Sequence, residues 1–521
     1  MRSSPRSAHQ PTELDAALAS VQDDARAEAV ARQHARGKQT ARERIAQLTD
    51  SNSFHEFGAL ARPAEPGPDG QLIPADGLVA GTARIDGRPV VVLASDYTAA
   101  GGSNGLIGNE KMRRCWEIAA TRGVPVVMLF DGGGHRISEG LNAREFAGGF
   151  DIQELQTRLS GWVPMVAAIL GPGYGQPTLA AALCDYVVAV RGIASVGMAP
   201  PALVRAATGE DVHAELLSSP DAQASYGTID LAVDTEEEAL DHLRWYLSFL
   251  PANADAPVPV AVTAPPDRRA AATLDQTVPA DLRVGYDMYD VLAGLLDEDT
   301  DLELKSAFAP NLITMFGRLE GRVLGVVASQ PAAKAGMLDA SAADKAAHFI
   351  SLCDAYGIPV LIIMDLPGLA VGEDAERSGL ARSSARLSAE LGAATVPMFT
   401  VVARKGYGGG YVILSGGRTF HPELVVAWPH AETAVMAVET AIELVYRREV
   451  ASAPDPETRR TELVDGFRGG VSALRGAEGF GFDAVIRPSE TRAWLADLLP
   501  DLPRHRQMQV LTPRRHGVAP L

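Results

Sequence analysis

Lysine is scarce in these 521 residues. Lys38, Lys111, Lys305, Lys334, Lys345 and Lys405 are all of it, so arginine carries most of the positive charge. We read that as compositional bias without functional meaning. Basic residues are outnumbered 47 to 65, leaving a formal net charge of −18. That balance argues against a nucleic-acid binder, whose footprint would be basic, yet leaves room for local basic pockets. Cysteine is nearly absent: Cys115, Cys184 and Cys353 stand far apart in apolar segments, with no C-x-x-C pair. A disulfide framework and a Cys-rich zinc ribbon are thereby excluded, and each cysteine reads as a small core residue. No apolar run approaches the ~18 residues of a membrane span. Met1–Gln10 is polar and lacks the apolar stretch of a secretory signal. The expectation is a cytoplasmic protein without membrane or nucleic-acid partners. What remains, 46% hydrophobic and 21% charged residues, is ordinary for a globular chain. Length alone suggests three or four domains at ~150 residues each.

Internal repetition overrides that prior. Arg84-Ile85-Asp86-Gly87-Arg88 leads into an apolar strand ending Ala94-Ser95; Arg318-Leu319-Glu320-Gly321-Arg322 leads into one ending Ala328-Ser329. The offset is 318 − 84 = 234. At that offset Pro125–Asp131 matches Pro359–Asp365. One residue short of it, Val163-Pro164-Met165 matches Val396-Pro397-Met398, and Gly173-Tyr174-Gly175 matches Gly406-Tyr407-Gly408. The chain is a duplicated domain, 1–255 and 256–521, with an Ala-, Pro- and Asp-rich linker expected around Pro251–Pro279. Each copy reads as a helix (109–121; 342–356), a buried strand ending at an Asp and a Gly-rich turn, and a second helix (143–159; 378–391). A further strand follows (164–170; 397–403), then a glycine turn entering a short helix (178–184; 412–415). Apolar strands alternating with helices predict α/β layers with both sheet faces covered. Residues 11–48 read as a charged helical arm, and 488–521 as a helix with a solvated basic tail, Arg504 to Arg515.

Each copy has two glycine turns at strand ends. Asp131-Gly132-Gly133-Gly134 accompanies Gly173-Tyr174-Gly175, and Pro367-Gly368 accompanies Gly408-Gly409-Gly410. Glycine lets backbone N–H groups approach a ligand closely, and at a helix start those groups favour negative charge. Two converging turns would make an oxyanion hole; tight strand–helix packing would need the same glycines. There is no G-x-x-x-x-G-K-[ST] phosphate loop and no H-E-x-x-H, and Gly101–Gly105 is not a G-x-G-x-x-G fingerprint. No nucleophile elbow is assigned. Paired backbone holes without a conspicuous nucleophile or metal suit enolate chemistry on thioesters.

At these residues the chain resembles the β subunit of biotin-dependent acyl-CoA carboxylases, the carboxyltransferase. The motifs are Gly101–Gly105 with Glu110-Lys111, Asp131–Gly140, Asp365-Leu366-Pro367-Gly368 with Gly372, Ala394–Pro397, Arg404–Tyr411 and Ala427-Trp428-Pro429. They span roughly residues 20 to 500, and the Arg-Lys-x-Tyr-Gly-Gly block is nearly diagnostic. The resemblance implies two crotonase-like domains, a homo-hexamer whose sites form between subunits, and carboxyl transfer from carboxybiotin to the α-carbon of an acyl-CoA. The product is a malonyl-type CoA. It implies an N-terminal hole for the thioester enolate at Gly133, Gly134, Gly175 and Gln176, with substrate contacts from Lys111, His135, Arg136 and Val412. It implies a C-terminal hole at Gly409 and Gly410 for the biotin ureido oxygen, flanked by Pro367, Gly368, Tyr407 and Gly408. Biotin itself then acts as the base on the α-proton, and no metal is needed. Since no Met-Lys-Met biotinylation site and no ATP loop is seen, biotin would arrive in trans on a carrier, with a separate biotin carboxylase.

Departures from the family pattern bear on the acyl side. Gly132-Gly133-Gly134-His135 stands where Ser-Gly-Gly-Ala is usual, and Gly175-Gln176-Pro177 where Gly-Gly-Ala is usual. Pro177 has no N–H, Gln176 adds bulk, and His135 is a candidate acid–base group. Gly410 replaces the usual Ala. Val412, small and apolar, stands where Asp or Ile often lines the acyl pocket. Two alternatives therefore accompany the carboxyltransferase: a malonyl-type acyl-CoA decarboxylase on the same scaffold, and a non-catalytic β-like subunit.

Overall fold

The computed structural model describes residues 12–63, 66–67, 70, 72–147, 151–506 and 520. The chain forms two compact units, 1–256 and 257–521. In the first, β1 (His55–Phe57), β2 (Leu78–Ile85), β3 (Arg88–Ser95), β4 (Val126–Phe130), β5 (Met165–Ile169), β7 (Tyr186–Val190) and β9 (Leu231–Val233) make one sheet in that order. A two-stranded sheet joins β6 (Pro172–Tyr174) and β8 (Ser195–Gly197). In the second unit β10 (Leu302–Glu303), β11 (Leu312–Leu319), β12 (Arg322–Ser329), β13 (Val360–Leu366), β14 (Met398–Tyr407), β15 (Leu424–Ala427) and β17 (Ala484–Val485) follow the same logic, and β16 (Glu432–Ala434) pairs with β14.

The duplication is carried into the backbone. Leu78 pairs with Ser95 across the first hairpin and Leu312 with Ser329 across the second, both at offset 234. The hairpin turns, Asp86-Gly87 and Glu320-Gly321, both take positive φ, as a two-residue turn matched to strand twist requires. A carboxylate clamps each: Asp50 accepts from Asp86 and Gly87 N–H, Asp297 from Glu320 and Gly321 N–H. The helices Leu106–Arg122 and Ala340–Tyr356 again differ by 234, and each stops at a left-handed glycine, Gly123 or Gly357. β4 and β5 are almost wholly buried, as parallel strands covered on both faces must be.

Four expectations need correction. The helix expected over 143–159 is broken, into Ala143–Phe146 and Ile152–Leu159. The strand expected over 397–403 continues to Tyr407 in the second copy. The first copy stops at Ile169 and resumes at Pro172, because Pro172 has no N–H to continue a ladder. The segment read as linker contains the helix Arg268–Thr277, whose Leu274 joins the second unit's core. Arg504 and Arg506 are half-buried and tied to the fold: Arg504 donates to the Tyr356 carbonyl, and Arg506 to those of Ala394, Phe420 and His421. The rest of the basic tail, 507–519, lies outside the described residues. The three cysteines are buried. Among the described residues no helix is long and apolar enough to cross a membrane.

Candidate active site

β4 ends at Phe130, and after Asp131 the chain turns through Gly132–Gly134. Beside it, β6 runs into the helix Gln176–Ala182 through Gly175. The two turns meet: a Cβ placed on Gly134 would lie 3.0 Å from Pro177 Cδ and 3.5 Å from Gln176 Cβ. Gly134 and Gly175 have φ of 77° and 73°, conformations that glycine alone adopts freely. Gly133 is exposed and its missing Cβ faces open space. No acceptor among the described residues takes the Gly133 or Gly134 N–H.

The predicted donor set is revised at one position. Gly175 N–H donates to the Gly197 carbonyl at 2.9 Å, so it cannot also serve a ligand. Gln176 opens its helix and its N–H is one of those without an intrahelical acceptor. Gly133, Gly134 and Gln176 are the remaining donors.

The second copy repeats the arrangement. β13 leads into Pro367-Gly368, and β14 into the helix Gly408–Ile413. A Cβ on Gly410 would lie 3.1 Å from the Gly368 carbonyl carbon. Gly409 is exposed at the helix start. The loops correspond bond for bond: Asn104 N–H donates to Gly134 O and Arg136 N–H to Asn104 O, as Leu338 N–H does to Gly368 O and Ala370 N–H to Leu338 O. The proline differs in place. The first copy keeps a donor at Gly133 and loses one at Pro177. The second loses the equivalent of the former at Pro367 and keeps the latter at Gly410. Tyr407 is buried, its hydroxyl donating to Glu432 at 2.6 Å. Burial and that carboxylate push its pKa up, and its side chain is part of the scaffold. Val412 is 48% exposed beside the turn.

Two of the predicted substrate contacts, Lys111 and Arg136, belong to the scaffold. Lys111 is 7% exposed, and its ammonium donates to the carbonyls of Ala75 and Leu78. Its repeat partner Lys345 donates to Phe308 and Leu312. A lysine used in nearly the same way in both copies ties a helix to its hairpin, a role that both copies share. Arg136 is likewise buried, bonded to Asp76, Glu139 and the Ser103 carbonyl. His135 packs its ring 5.9 Å from Phe146 and beside Gly140. One string was passed over: Gly101-Gly102-Ser103-Asn104-Gly105 does fit G-x-S-x-G. Ser103 lies in a loop well past the end of β3 at Ser95, and its Oγ donates to the Ala100 carbonyl at 2.7 Å, so no nucleophile elbow is formed.

Burial pushes the Lys111 pKa down to about 8. Between that value and the unfolded ~10.4, the unfolded chain holds more protons, so stability from this group rises with pH. Lys111→Met strands the Ala75 and Leu78 carbonyls and should lower Tm; because wild type gains stability with pH, the deficit should widen from pH 7.5 to 9.5, with the KM for acyl-CoA unchanged. A raised KM at constant Tm would return Lys111 to the substrate.

Sequence reasoning missed what holds these turns. Asp131 and Asp365, both fully buried, sit just before them. Asp365 takes Arg404 Nε at 3.0 Å and Lys405 N–H at 3.1 Å, from β14. Asp131 takes Gln33 Nε2 and Arg44 Nη1, each at 2.8 Å, and Lys38 Nζ, all from the N-terminal arm. Aligning Gly171 with Arg404 would have flagged the difference. An apolar cavity of ≈ 50 Å³ opens against Gly134, Gln176 and Pro177, with Leu93, Met112, Trp116, Met128 and Leu179 among its walls.

Two pairs of strand-end turns, each aiming backbone N–H groups outward on a duplicated α/β scaffold, define an enzyme that stabilises charge developing on oxygen, as in a thioester enolate. The carboxyl transferase domain family matches residues 32–518, and the chain belongs to it. The propionyl-CoA carboxylase carboxyltransferase subunit of Haloferax mediterranei is 38% identical, covering 94% of this chain and 95% of that one. The methylmalonyl-CoA carboxyltransferase 12S subunit of Propionibacterium freudenreichii subsp. shermanii is 36% identical, over 94% and 93%. The methylmalonyl-CoA decarboxylase subunit alpha of Veillonella parvula is 34% identical over 97% of both. A solved transcarboxylase 12S structure, described as a hexamer assembly with methylmalonyl-coenzyme A bound, superposes with a TM-score of 0.90 at 34% identity, covering 99% of this chain and all of that one. The fold is the duplicated crotonase-like one, and the protein is a biotin-dependent acyl-CoA carboxyltransferase. The decarboxylase alternative is no better supported.

Proposed function

We propose that the first unit binds the acyl-CoA and the second the biotin of a separate carrier, giving a malonyl-type CoA. The observation that carries this division is the apolar cavity opening on the first hole. A thioester oxygen at Gly133, Gly134 and Gln176 would leave its alkyl tail beside that cavity. Carboxybiotin supplies the carboxyl group and, after releasing it, the base for the α-proton. Its ureido oxygen fits the second turn, where Gly409 is exposed at a helix start and no side chain obstructs approach. The first hole holds the enolate oxygen; one donor there is worth ~3 kcal/mol of barrier.

Apolar side chains ring both turns at equivalent positions. Ile137, Leu179 and Met198 are exposed in the first unit, Val371, Val412 and Val435 in the second. Such faces mark association sites, and we assign them to contacts between copies in a homo-hexamer.

Transfer from methylmalonyl-CoA to biocytin, a soluble biotinyl-lysine, tests the function directly. Its reverse tests the tail, with acyl-CoAs of increasing chain length. Each methylene entering the cavity should contribute about 0.8 kcal/mol, or ~4-fold in kcat/KM. Ala180→Leu, which fills the cavity, should abolish that gain beyond the propionyl group and spare acetyl-CoA. Equal loss for all chain lengths would place the tail elsewhere.

A further inference from the structure

Each hole turn follows a buried aspartate, and the two copies secure that aspartate differently. In the second copy the ties come from the neighbouring strand: Arg404 Nε and Lys405 N–H bond Asp365, with Lys405 Nζ 3.7 Å away. Because β14 continues into Gly408–Gly410, these bonds fix one turn of the hole against the other. In the first copy the equivalent positions, at offset 233, are Gly171 and Pro172. Gly171 has no side chain and Pro172 has no N–H, so every donor used by Asp365 is deleted. Asp131 is nonetheless fully buried, and a buried carboxylate needs partners.

The partners come from the arm. Lys38 Nζ reaches Oδ1, while Gln33 Nε2 and Arg44 Nη1 reach Oδ2. Arg44 is itself anchored, through Nε and Nη2, on Glu236. Gly171 makes the space: a Cβ there would stand 2.0 Å from Asp131 Oδ1 and 2.5 Å from Lys38 Nζ. The arm's two buried cations balance two buried carboxylates.

We infer that the N-terminal arm is a working part of the acyl-CoA hole, with Lys38 and Arg44 as positioning residues that fix Gly132–Gly134 through Asp131. They replace the internal Arg404–Lys405 tie of the other copy. The inference rests on the reading of the first unit as the acyl-CoA side.

Lys38→Met should lower kcat for transfer from methylmalonyl-CoA to biocytin by about 10- to 100-fold, the scale of one misplaced donor, with KM changed less than about threefold. Lys38→Arg should restore most of the rate. Ile229→Ala, a core truncation in the same unit, serves as the stability control and should keep its kcat. Backbone amide exchange at Gly132, whose N–H is held by the Pro172 carbonyl at 3.0 Å, should quicken at least tenfold in Lys38→Met and stay unchanged in Ile229→Ala. If Lys38→Met is insoluble, Gln33→Leu, which removes one neutral donor, is read in the same way. A Lys38→Met enzyme that loses no more activity than Ile229→Ala, or exchanges at the wild-type rate, overturns the inference. A wild-type protein that transfers nothing sinks the functional reading instead, and the exchange measurement then decides the arm on its own.

Discussion

Gly409→Val should abolish carboxyl transfer and leave acyl-CoA affinity nearly unchanged. Gly409 is the exposed glycine at the start of the helix Gly408–Ile413. Its φ is not in the left-handed region, so a side chain causes no backbone strain. A Cβ there meets only the tip of Leu369, at 3.2 Å, a flexible end that can give by a few tenths of an ångström. The variant should therefore fold. On the proposed division of the two units, the valine stands where the biotin ureido oxygen would approach the helix-start N–H groups. The expected loss is at least the ~10²-fold of one oxyanion donor. Acyl-CoA binding, placed on the other unit, should stay within about twofold. Both quantities are measured on one preparation, transfer to biocytin by product analysis and acyl-CoA binding by calorimetry. If transfer survives, or if both fall together in a folded protein, the two units have been assigned the wrong substrates.

The duplication was legible from residues alone because it left strings such as Arg-x-x-Gly-Arg at a constant offset. The paired helices, the buried strands and the two turn pairs followed from it. Less legible was which glycines donate. Gly133 and Gly175 look equivalent in a string, yet Gly175 spends its N–H on Gly197, a residue on another strand. Lys111 and Arg136 stand beside motif residues and read as ligand contacts; burial and carbonyl acceptors turn them inward. The arm was visible as charged helices, but its cations meet Asp131 across roughly ninety residues, and no local pattern encodes that distance. The relevant signal was negative: the first copy has nothing at Gly171 and Pro172 to hold its aspartate.

That comparison predicts the second large effect, at Arg404. Its guanidinium is almost fully buried. Nε bonds Asp365 at 3.0 Å, and Nη1 serves the carbonyls of Pro279, Asp281 and Val284 at 3.3, 3.1 and 2.8 Å. The group also lies 4.9 Å from the Tyr286 ring. Arg404→Met keeps the volume and removes the donors. Asp365 is then left buried with Lys405 alone, and breaking such a pair typically costs about 3–5 kcal/mol. For a unit of this size that is a fall of roughly 10 °C in Tm. Arg404→Lys should recover only part, since a point charge cannot serve a carboxylate and three carbonyls at once. The double variant Arg404→Met/Asp365→Asn removes the stranded charge and should regain much of the stability. It should not regain transfer, because the two turns of the biotin hole are no longer tied to each other. Thermal unfolding and transfer to biocytin across the four proteins, wild type included, separate the two roles. A double variant that recovers activity along with stability would show that the pair only holds the fold. A single variant as stable as wild type would remove the premise that a buried aspartate at the strand end needs an arginine beside it.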